Sequence, residues 1–451
     1  MAWHGKRVTV VGLARSGASA AELLLREGAA VSVTDRRPAT ELAAWTGRFA
    51  PGSIRWFLGG HPDEAFRDAD LIVLSPGVPP TLPSIRDARS RGIPVWSEVE
   101  LAARSLRAPL IAITGSNGKS TTTALTGAIC RAAGRRTFVG GNLGVPLCEA
   151  AAPDAAWDEV VAEISSFQLE TIETFRPAVA ALLNITPDHL DRYPDVTAYA
   201  AAKFRIFERQ RAEDAAVVNA DDAIGMTPSF LSRIGSRRVE FSRLKAPSGD
   251  GVWVEDREIR YRIDGHAGSV CEVDGIRIAG VHNLENALAA TTIALLRGIA
   301  PDTIAGVLRE FPGLEHRLEF VREKGGVAYI NDSKGTNVGA VLKSLEGFER
   351  PVILIAGGVA KGADFSALRP MVGRRVKHTI VIGEARSALR KALEGVTAVS
   401  EADGLAEAVR MAAGSAVAGD TVLLSPACAS FDLFKDFEDR GRQFKALVQA
   451  L

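Results

Sequence analysis

Short runs of consecutive apolar residues alternate with amphipathic stretches along the whole chain. Residues 7–13, 29–35, 71–77 and 94–99 predict buried strands, with a helix over 19–27 between the first two. Residues 110–113, Leu-Ile-Ala-Ile, predict another strand, and 120–133 a helix stopped by Gly134. Further strands are predicted over 159–164, 179–185, 327–331, 351–357, 378–383 and 421–425. Strands alternating with helices imply βαβ units and parallel sheets. Residues 104–109 read as a linker and Phe311-Pro312-Gly313 as a second boundary, while 244–280 is polar, glycine-rich and β-like. The expectation is an α/β chain of three domains: a Rossmann-like domain over 1–107, a central P-loop-type domain with a mostly parallel sheet over 108–312, and a Rossmann-like domain over 313–451.

Composition narrows the class. A chain of 451 residues, 47% hydrophobic and 24% charged, has enough apolar surface for several cores. Its formal net charge of zero gives no global field to recruit nucleic acid or an anionic membrane. Cys130, Cys148, Cys271 and Cys428 are scattered, which argues against a zinc site or a disulfide framework. The first residues lead into a strand and not into a signal peptide, and no apolar run is long enough to span a bilayer. A soluble, cytoplasmic protein is expected, as a monomer.

The chemistry concentrates at strand ends. Thr114-Gly-Ser-Asn-Gly-Lys-Ser120 joins a buried strand to a helix N-terminus, the arrangement that cradles phosphate. Lys119 would meet the outer phosphates and Ser120 would ligate Mg²⁺; Ile113 stands where the standard loop has its first glycine. Glu163 ends a strand where a Mg²⁺-ordering acid belongs, and His189 lies in a polar cluster, Asn184 to Tyr193, after another strand. Gly140 to Gly144 suits close backbone approach, or is a plain connection. Lys203 sits among apolar neighbours, where spacing alone predicts a snorkelling lysine. Asn283 and Asn286 could read a purine or cap their helix. In the first hundred residues Gly12 to Gly17, with Asp35 after the next strand, approximates a dinucleotide fingerprint, but Ala14 replaces the glycine that lets backbone approach a pyrophosphate. A nucleotide-bearing ligand other than NAD is the better fit, with Ser75 on the same sheet edge. His316-Arg317, Asn331 to Lys334, Gly357-Gly358 with Lys361, and Ser425-Pro426 with Ser430 crowd the strand ends of the last domain.

With these strings in order, the chain resembles the Mur ligase family, ATP-dependent amide-forming enzymes of peptidoglycan precursor synthesis. TGSNGKS, NITPDHLDRY, HNLENALAA, HRLE and NDSKGTN carry the resemblance over essentially the whole length. EISSFQLE, AAAKFRIFE and LSPACASFDLFKDFEDRGRQF point to the branch that adds glutamate to UDP-N-acetylmuramoyl-L-alanine. The resemblance implies ATP held by Gly115, Ser116, Asn117, Gly118, Lys119, Ser120 and Thr121, with Asn286, Arg317, Asp332 and Lys334 at the nucleotide. It implies two Mg²⁺ near Ser120, Glu163, His189 and Lys203, the last being a lysine the family carbamoylates. Lys119, His189, Lys203 and Arg317 would be catalytic. Leu13, Arg15, Asp35, Arg36 and Ser75 would hold the uridine diphosphate, Asn142, Ser165 and His189 the acceptor, and Thr336, Lys361, Ser430 and Phe437 the incoming glutamate, expected as the D isomer. Three other readings stand beside it: a related ligase, including one that uses L-glutamate; an NAD-dependent oxidoreductase; and a non-catalytic nucleotide-binding protein.

Overall fold

The structure is a computed structural model and describes residues 3–152, 154–190, 192–278, 280–360 and 362–451. Among these, twenty strands form three sheets. The first holds β1 (Arg7–Val11), β2 (Ala30–Asp35), β3 (Ile54–Leu58), β4 (Leu71–Leu74) and β5 (Val95–Ser97), all parallel in the order β3-β2-β1-β4-β5. The second holds β6 (Leu110–Thr114), β7 (Thr137–Gly141), β8 (Glu159–Glu163), β9 (Val179–Leu182), β10 (Ala215–Asn219), β11 (Arg237–Ser242), β12 (Gly251–Glu255), β13 (Glu258–Ile263) and β14 (His266–Glu272). Its order is β14-β13-β12-β11-β10-β9-β6-β8-β7, parallel from β7 to β12 and antiparallel in the last two pairings. The third holds β15 (Glu319–Lys324), β16 (Val327–Asn331), β17 (Val352–Gly357), β18 (Val376–Ile382), β19 (Ala398–Glu401) and β20 (Thr421–Leu424), in the order β15-β16-β20-β17-β18-β19 with only β15 antiparallel.

These strands are continuous apolar runs because helices cover both faces of each parallel sheet. In β1, Val8 and Val10 enter one core and Val11 another; in β17, Leu354 and Ala356 face one way, Ile353 and Ile355 the other. The chain forms two compact units. One runs to Ile276 and includes Glu285–Glu310, so it contains the first two sheets; the other comprises Arg277–Leu284 and Phe311–Leu451 and contains the third.

The long parallel runs lie where periodicity predicts them, usually trimmed by one to three residues at the carboxyl end. The first helix is Arg15–Arg26 and starts earlier than expected, since Gly17 and Ser19 mask its periodicity. Gly17 is required there, because a β-carbon would collide with the Gly12 carbonyl. β3 and β19 escape the pattern as edge strands with exposed residues, and β7 escapes because it ends in two glycines; β10, β11 and β15 are also strands the pattern does not predict. The region 244–280 supplies the antiparallel hairpins β12–β14.

Within the first unit the helix Glu98–Ser105 is fastened to the turn that precedes β9. The fully buried Glu100 carboxylate accepts the N–H groups of Glu173, Thr174 and Phe175 at 2.9–3.0 Å, the Thr174 hydroxyl at 2.6 Å and Arg104 Nε at 2.8 Å. Burial alone would raise its pKa, but these donors outweigh it and hold the group below the usual glutamate range. Glu100→Ala strands several buried donors and is expected to lose about 2–3 kcal/mol in urea denaturation at pH 7. Because the folded pKa is the lower one, the wild-type advantage is complete above the unfolded glutamate value. It fades as pH falls through the folded value, so the difference between variant and wild type should shrink in acid. A difference independent of pH would contradict this account.

Candidate active site

β6 lies inside the second sheet between β8 and β9, so the loop after it opens beside the carboxyl ends of both. The helix Lys119–Ala132 begins at once, with Gly118 before it at φ +83°. Only glycine suits that position, since a β-carbon would strike the Asn286 amide oxygen. The loop is braced from the β9 side. Asn184 accepts Asn117 N–H at 2.9 Å and donates to Asn117 O at 3.2 Å, and Ser116 Oγ donates to Thr186 O at 3.0 Å. Asn286, on the helix Val281–Leu296, accepts from Thr122 Oγ1 at 3.2 Å. Ser120 and Thr121 are buried in the first helical turn.

Lys119 Nζ folds back onto the carbonyls of Gly115 (2.9 Å) and Ser116 (3.0 Å). Lys203 reaches the same Gly115 oxygen, also at 2.9 Å. This corrects the snorkelling expectation: Lys203 stands near the end of the helix Val196–Phe204 and is only 1% exposed. Its amine lies 4.6 Å from the centre of the Tyr199 ring. Burial, followed by the nearby Lys119 charge, pushes its pKa well below the ordinary lysine value.

Glu163 ends β8 and accepts from Asn142 Nδ2 at 2.7 Å, while its carbonyl accepts Asn142 N–H at 2.8 Å. The end of β7 and the loop after it, Gly140 to Gly144, are thereby tied to the acid, which a plain connection does not require. Ser165 caps the short helix Ser166–Leu169 reciprocally with Gln168. His189 adopts φ +54°, with its ring 4.8 Å from Phe167 and 6.1 Å from Tyr199. Tyr199 was not anticipated from sequence, yet it touches Ser116 Oγ (3.3 Å) and lies next to both Lys203 and His189. Its position four residues before Lys203, on the same helix face, was the available signal.

At the first sheet, Asp35 accepts Leu13 N–H at 2.7 Å and binds Arg37 through backbone and guanidinium. Burial would raise its pKa, but Arg37 and Leu13 bring it down to about 2. The carboxylate is thus committed to closing the loop, which removes the ribose-binding acid expected of an NAD site. Arg36 is exposed; Arg37, which was missed, takes the ion pair. Ser75 Oγ donates to Gly12 O at 2.8 Å, joining the ends of β1 and β4, and Arg15 donates to Gly144 O at 2.8 Å.

In the second unit the candidates gather at the carboxyl ends of β16 and β20. Asp332 is buried and accepts from Ser344 Oγ and Ser425 Oγ at 2.7 Å each. Burial raises its pKa against these donors and against the attraction of Arg317. Lys334 Nζ lies 5.0 Å from the Phe437 ring centre, and Phe437 O accepts from Ser333 Oγ at 2.8 Å. Ser430 is buried and Thr336 half-buried; Lys361 lies outside the described residues. Arg440, another residue missed in the sequence, is fully buried and donates to Ser333 Oγ and O at 2.9 and 2.8 Å. It also reaches Cys428 O at 3.3 Å, and burial lowers its pKa to about 10. Among the described residues no three His, Cys, Asp or Glu side chains gather as a metal cage. A cation that keeps most of its waters, as Mg²⁺ does, needs only one or two protein oxygens, and Ser120 and Glu163 offer these.

The comparisons agree along the chain. Residues 6–97 match the MurD-like N-terminal domain of Mur ligases, 113–294 the Mur ligase middle domain, and 316–428 the Mur ligase glutamate ligase domain. The UDP-N-acetylmuramoylalanine--D-glutamate ligase of Syntrophotalea carbinolica is 46% identical over 451 residues, covering 100% of this chain and 98% of its own. Its namesake in Trichlorobacter lovleyi is 47% identical over 446 residues, covering 99% of both. Among solved structures, a pseudomurein peptide ligase type C from Methanothermus fervidus superposes with a TM-score of 0.61 at 21% identity, over 99% of this chain and 100% of that one. The MurF ligase of Thermotoga maritima in complex with ADP gives 0.60 at 17% identity, over 100% and 96%; these two speak to the fold alone. The chain belongs to the Mur ligase family.

The buried Lys203 amine sets up a test of the site's energetics. Lys119 also donates to Gly115 O, so removing Lys203 leaves that oxygen satisfied. Lys203→Met is therefore expected to stabilise the fold by about 1–3 kcal/mol at pH 7. A folded pKa below the unfolded one means the unfolded chain holds the extra proton, so wild-type stability rises towards alkaline pH and the gap to the variant narrows. A variant less stable than wild type at pH 7 in urea denaturation would overturn this.

Proposed function

We propose that this chain is an ATP-dependent amide ligase that joins D-glutamate to UDP-N-acetylmuramoyl-L-alanine, a step in making peptidoglycan precursors. The observation that carries the reading is 44–47% identity, over 99–100% of this chain, to relatives that share one name, UDP-N-acetylmuramoylalanine--D-glutamate ligase. The family's use of ATP and Mg²⁺ comes with membership, and the loop geometry around Lys119 is of the kind that receives phosphate.

A carboxylate is a poor electrophile, so ATP supplies activation by phosphorylating the alanine carboxylate, which glutamate's amine then attacks with release of phosphate. In this reading the residues divide the work as follows. The backbone N–H groups of 115–121 and Lys119 hold the ATP phosphates, and Ser120 with Glu163 orders Mg²⁺. A phosphate arriving at the loop would give Lys119 a charge-assisted hydrogen bond. Burial biases Lys203 toward the neutral amine, the form that adds CO₂ with loss of one proton to give a carbamate; that carboxylate-like group and His189 would then hold a second ion. Asn286, Arg317, Asp332 and Lys334 serve the nucleotide. Asp332 acts from behind, since Ser344 and Ser425 both donate to its Oδ2 and Leu318 N–H to its Oδ1. Asn142, Ser165 and His189 hold the acceptor. Leu13, Arg15, Asp35, Arg36 and Ser75 hold its uridine diphosphate, with Asp35 shaping the loop through Leu13 and Arg37. Thr336, Lys361, Ser430 and Phe437 receive glutamate. The domain boundaries near 107 and 312 belong to the same proposal.

The test is phosphate release from ATP and Mg²⁺ with UDP-N-acetylmuramoyl-L-alanine, comparing D-glutamate, L-glutamate and no amino acid. Release dependent on D-glutamate is expected. A strong preference for L-glutamate would keep the chemistry and move the specificity, whereas ATP binding without release in any arm would favour a non-catalytic nucleotide-binding protein.

A further inference from the structure

Glu98 follows β5 and opens the helix Glu98–Ser105, and it is 1% exposed. Its carboxylate is spent on the central part of the same unit. One oxygen accepts Cys148 N–H at 2.8 Å, at the start of the helix Leu147–Ala150, where Leu147 N–H also favours the charged form. The other oxygen is buried without a hydrogen bond, as is the side-chain nitrogen of Gln168, whose amide favours the ionised carboxylate. The second carboxylate oxygen and the Gln168 amide are thus complementary buried neighbours, and neither is spent on another partner.

Both contacts lead to loops already described. The Leu147–Ala150 helix follows the loop after β7, which closes on itself through Gly141 N–H to Val145 O (2.7 Å) and carries Asn142. Gln168 Oε1 accepts Ser165 N–H at 2.8 Å and Ser165 Oγ at 2.9 Å, fixing the residue two beyond Glu163. We infer that Glu98 is a positioning residue for the acceptor: its carboxylate aligns, through Cys148 N–H and the Gln168 amide, the two loops that present Asn142 and Ser165. This rests on the acceptor roles proposed above for those two residues.

The surroundings leave Glu98 as the group whose charge matters. Burial raises its pKa to about 7 against the pull of its donors. No cation pairs with it among the described residues. On the packed helices, Arg26 and Glu149 act on the Cys148 thiol, which burial keeps protonated. On its own helix, Glu100 and Arg104 turn to the 173–175 turn and to each other. Ser166 and Gln168, on the remaining neighbour, are neutral.

The experiment measures KM for UDP-N-acetylmuramoyl-L-alanine between pH 6 and 9, with ATP and D-glutamate saturating, for wild type, Glu98→Gln and Glu98→Asp. Glu98→Gln keeps an acceptor for Cys148 N–H but mimics the protonated acid. It is expected to raise the acceptor KM about tenfold above pH 7, with KM for ATP unchanged. Wild-type KM should climb as pH falls below about 7, Glu98→Gln should be flat there, and Glu98→Asp should be intermediate and keep the pH dependence. A Glu98→Gln enzyme with wild-type acceptor KM and wild-type pH profile overturns the inference. Absence of turnover in wild type would count against the proposed reaction instead. Calorimetric binding of the acceptor to wild type and Glu98→Gln then decides Glu98 by the same tenfold criterion, and Glu98→Asp serves if Glu98→Gln does not fold.

Discussion

Two lysine side chains, from Lys119 and Lys203, meet on one carbonyl oxygen, that of Gly115. The two like charges repel, and burial together with Lys119 holds the Lys203 amine well below the ordinary lysine range against the attraction of Asp188 and Glu163. Loss of the Lys203 proton relieves that repulsion, and an anion bound at the loop would lessen it as well. Most of the central sheet's local structure serves this spot. β6 places the oxygen, β9 braces the loop through Asn184, the Val196–Phe204 helix delivers Lys203, and the Asn286 amide packs against Gly118.

Such a site is legible in sequence only in part, and the boundary is physical. Gly115 to Ser120 could be read because a phosphate loop is local: strand, turn and helix start are contiguous, and each residue type has a backbone reason. Glu163 could be read because a strand end fixes its direction. Lys203 could not, since whether a lysine on an apolar helix face snorkels or is buried depends on what packs above it, here Tyr199 and the loop some ninety residues earlier. Family resemblance named it; burial explains it. Arg37 was overlooked beside Arg36 for the same kind of reason, since only the fold shows which of two adjacent arginines turns toward Asp35. Of the strands the pattern missed, β3, β7, β15 and β19 are at sheet edges, where apolar alternation is diluted, whereas β10 and β11 lie inside the second sheet.

The polar groups that sequence reasoning passed over share a position. Glu98, Glu100 and Arg440 are all buried, and all bind backbone or hydroxyl groups of loops and not one another. Parallel sheets deliver their functional loops as irregular backbone beyond the last ladder hydrogen bond, where N–H and C=O groups lack strand partners. A buried charge with several donors or acceptors satisfies many such groups at once, which no apolar side chain can do. The price is desolvation of the charge, and it is met by multiplicity: Glu100 takes donors from three consecutive residues, and Arg440 bridges the loops after β16 and β20.

Glu98 departs from that rule in one respect, and the departure gives it a different part to play. Glu100 is saturated and its pKa is lowered, whereas Glu98 has one oxygen without a hydrogen bond and its pKa is raised. A saturated carboxylate two residues along the same helix shows that the fold could have supplied donors there. A group whose satisfaction is left incomplete gains most from a rearrangement that completes it, because the desolvation has already been incurred. The fixed brace and the unfinished one therefore divide the work between holding the two parts of this unit together and aligning the loops that face the acceptor.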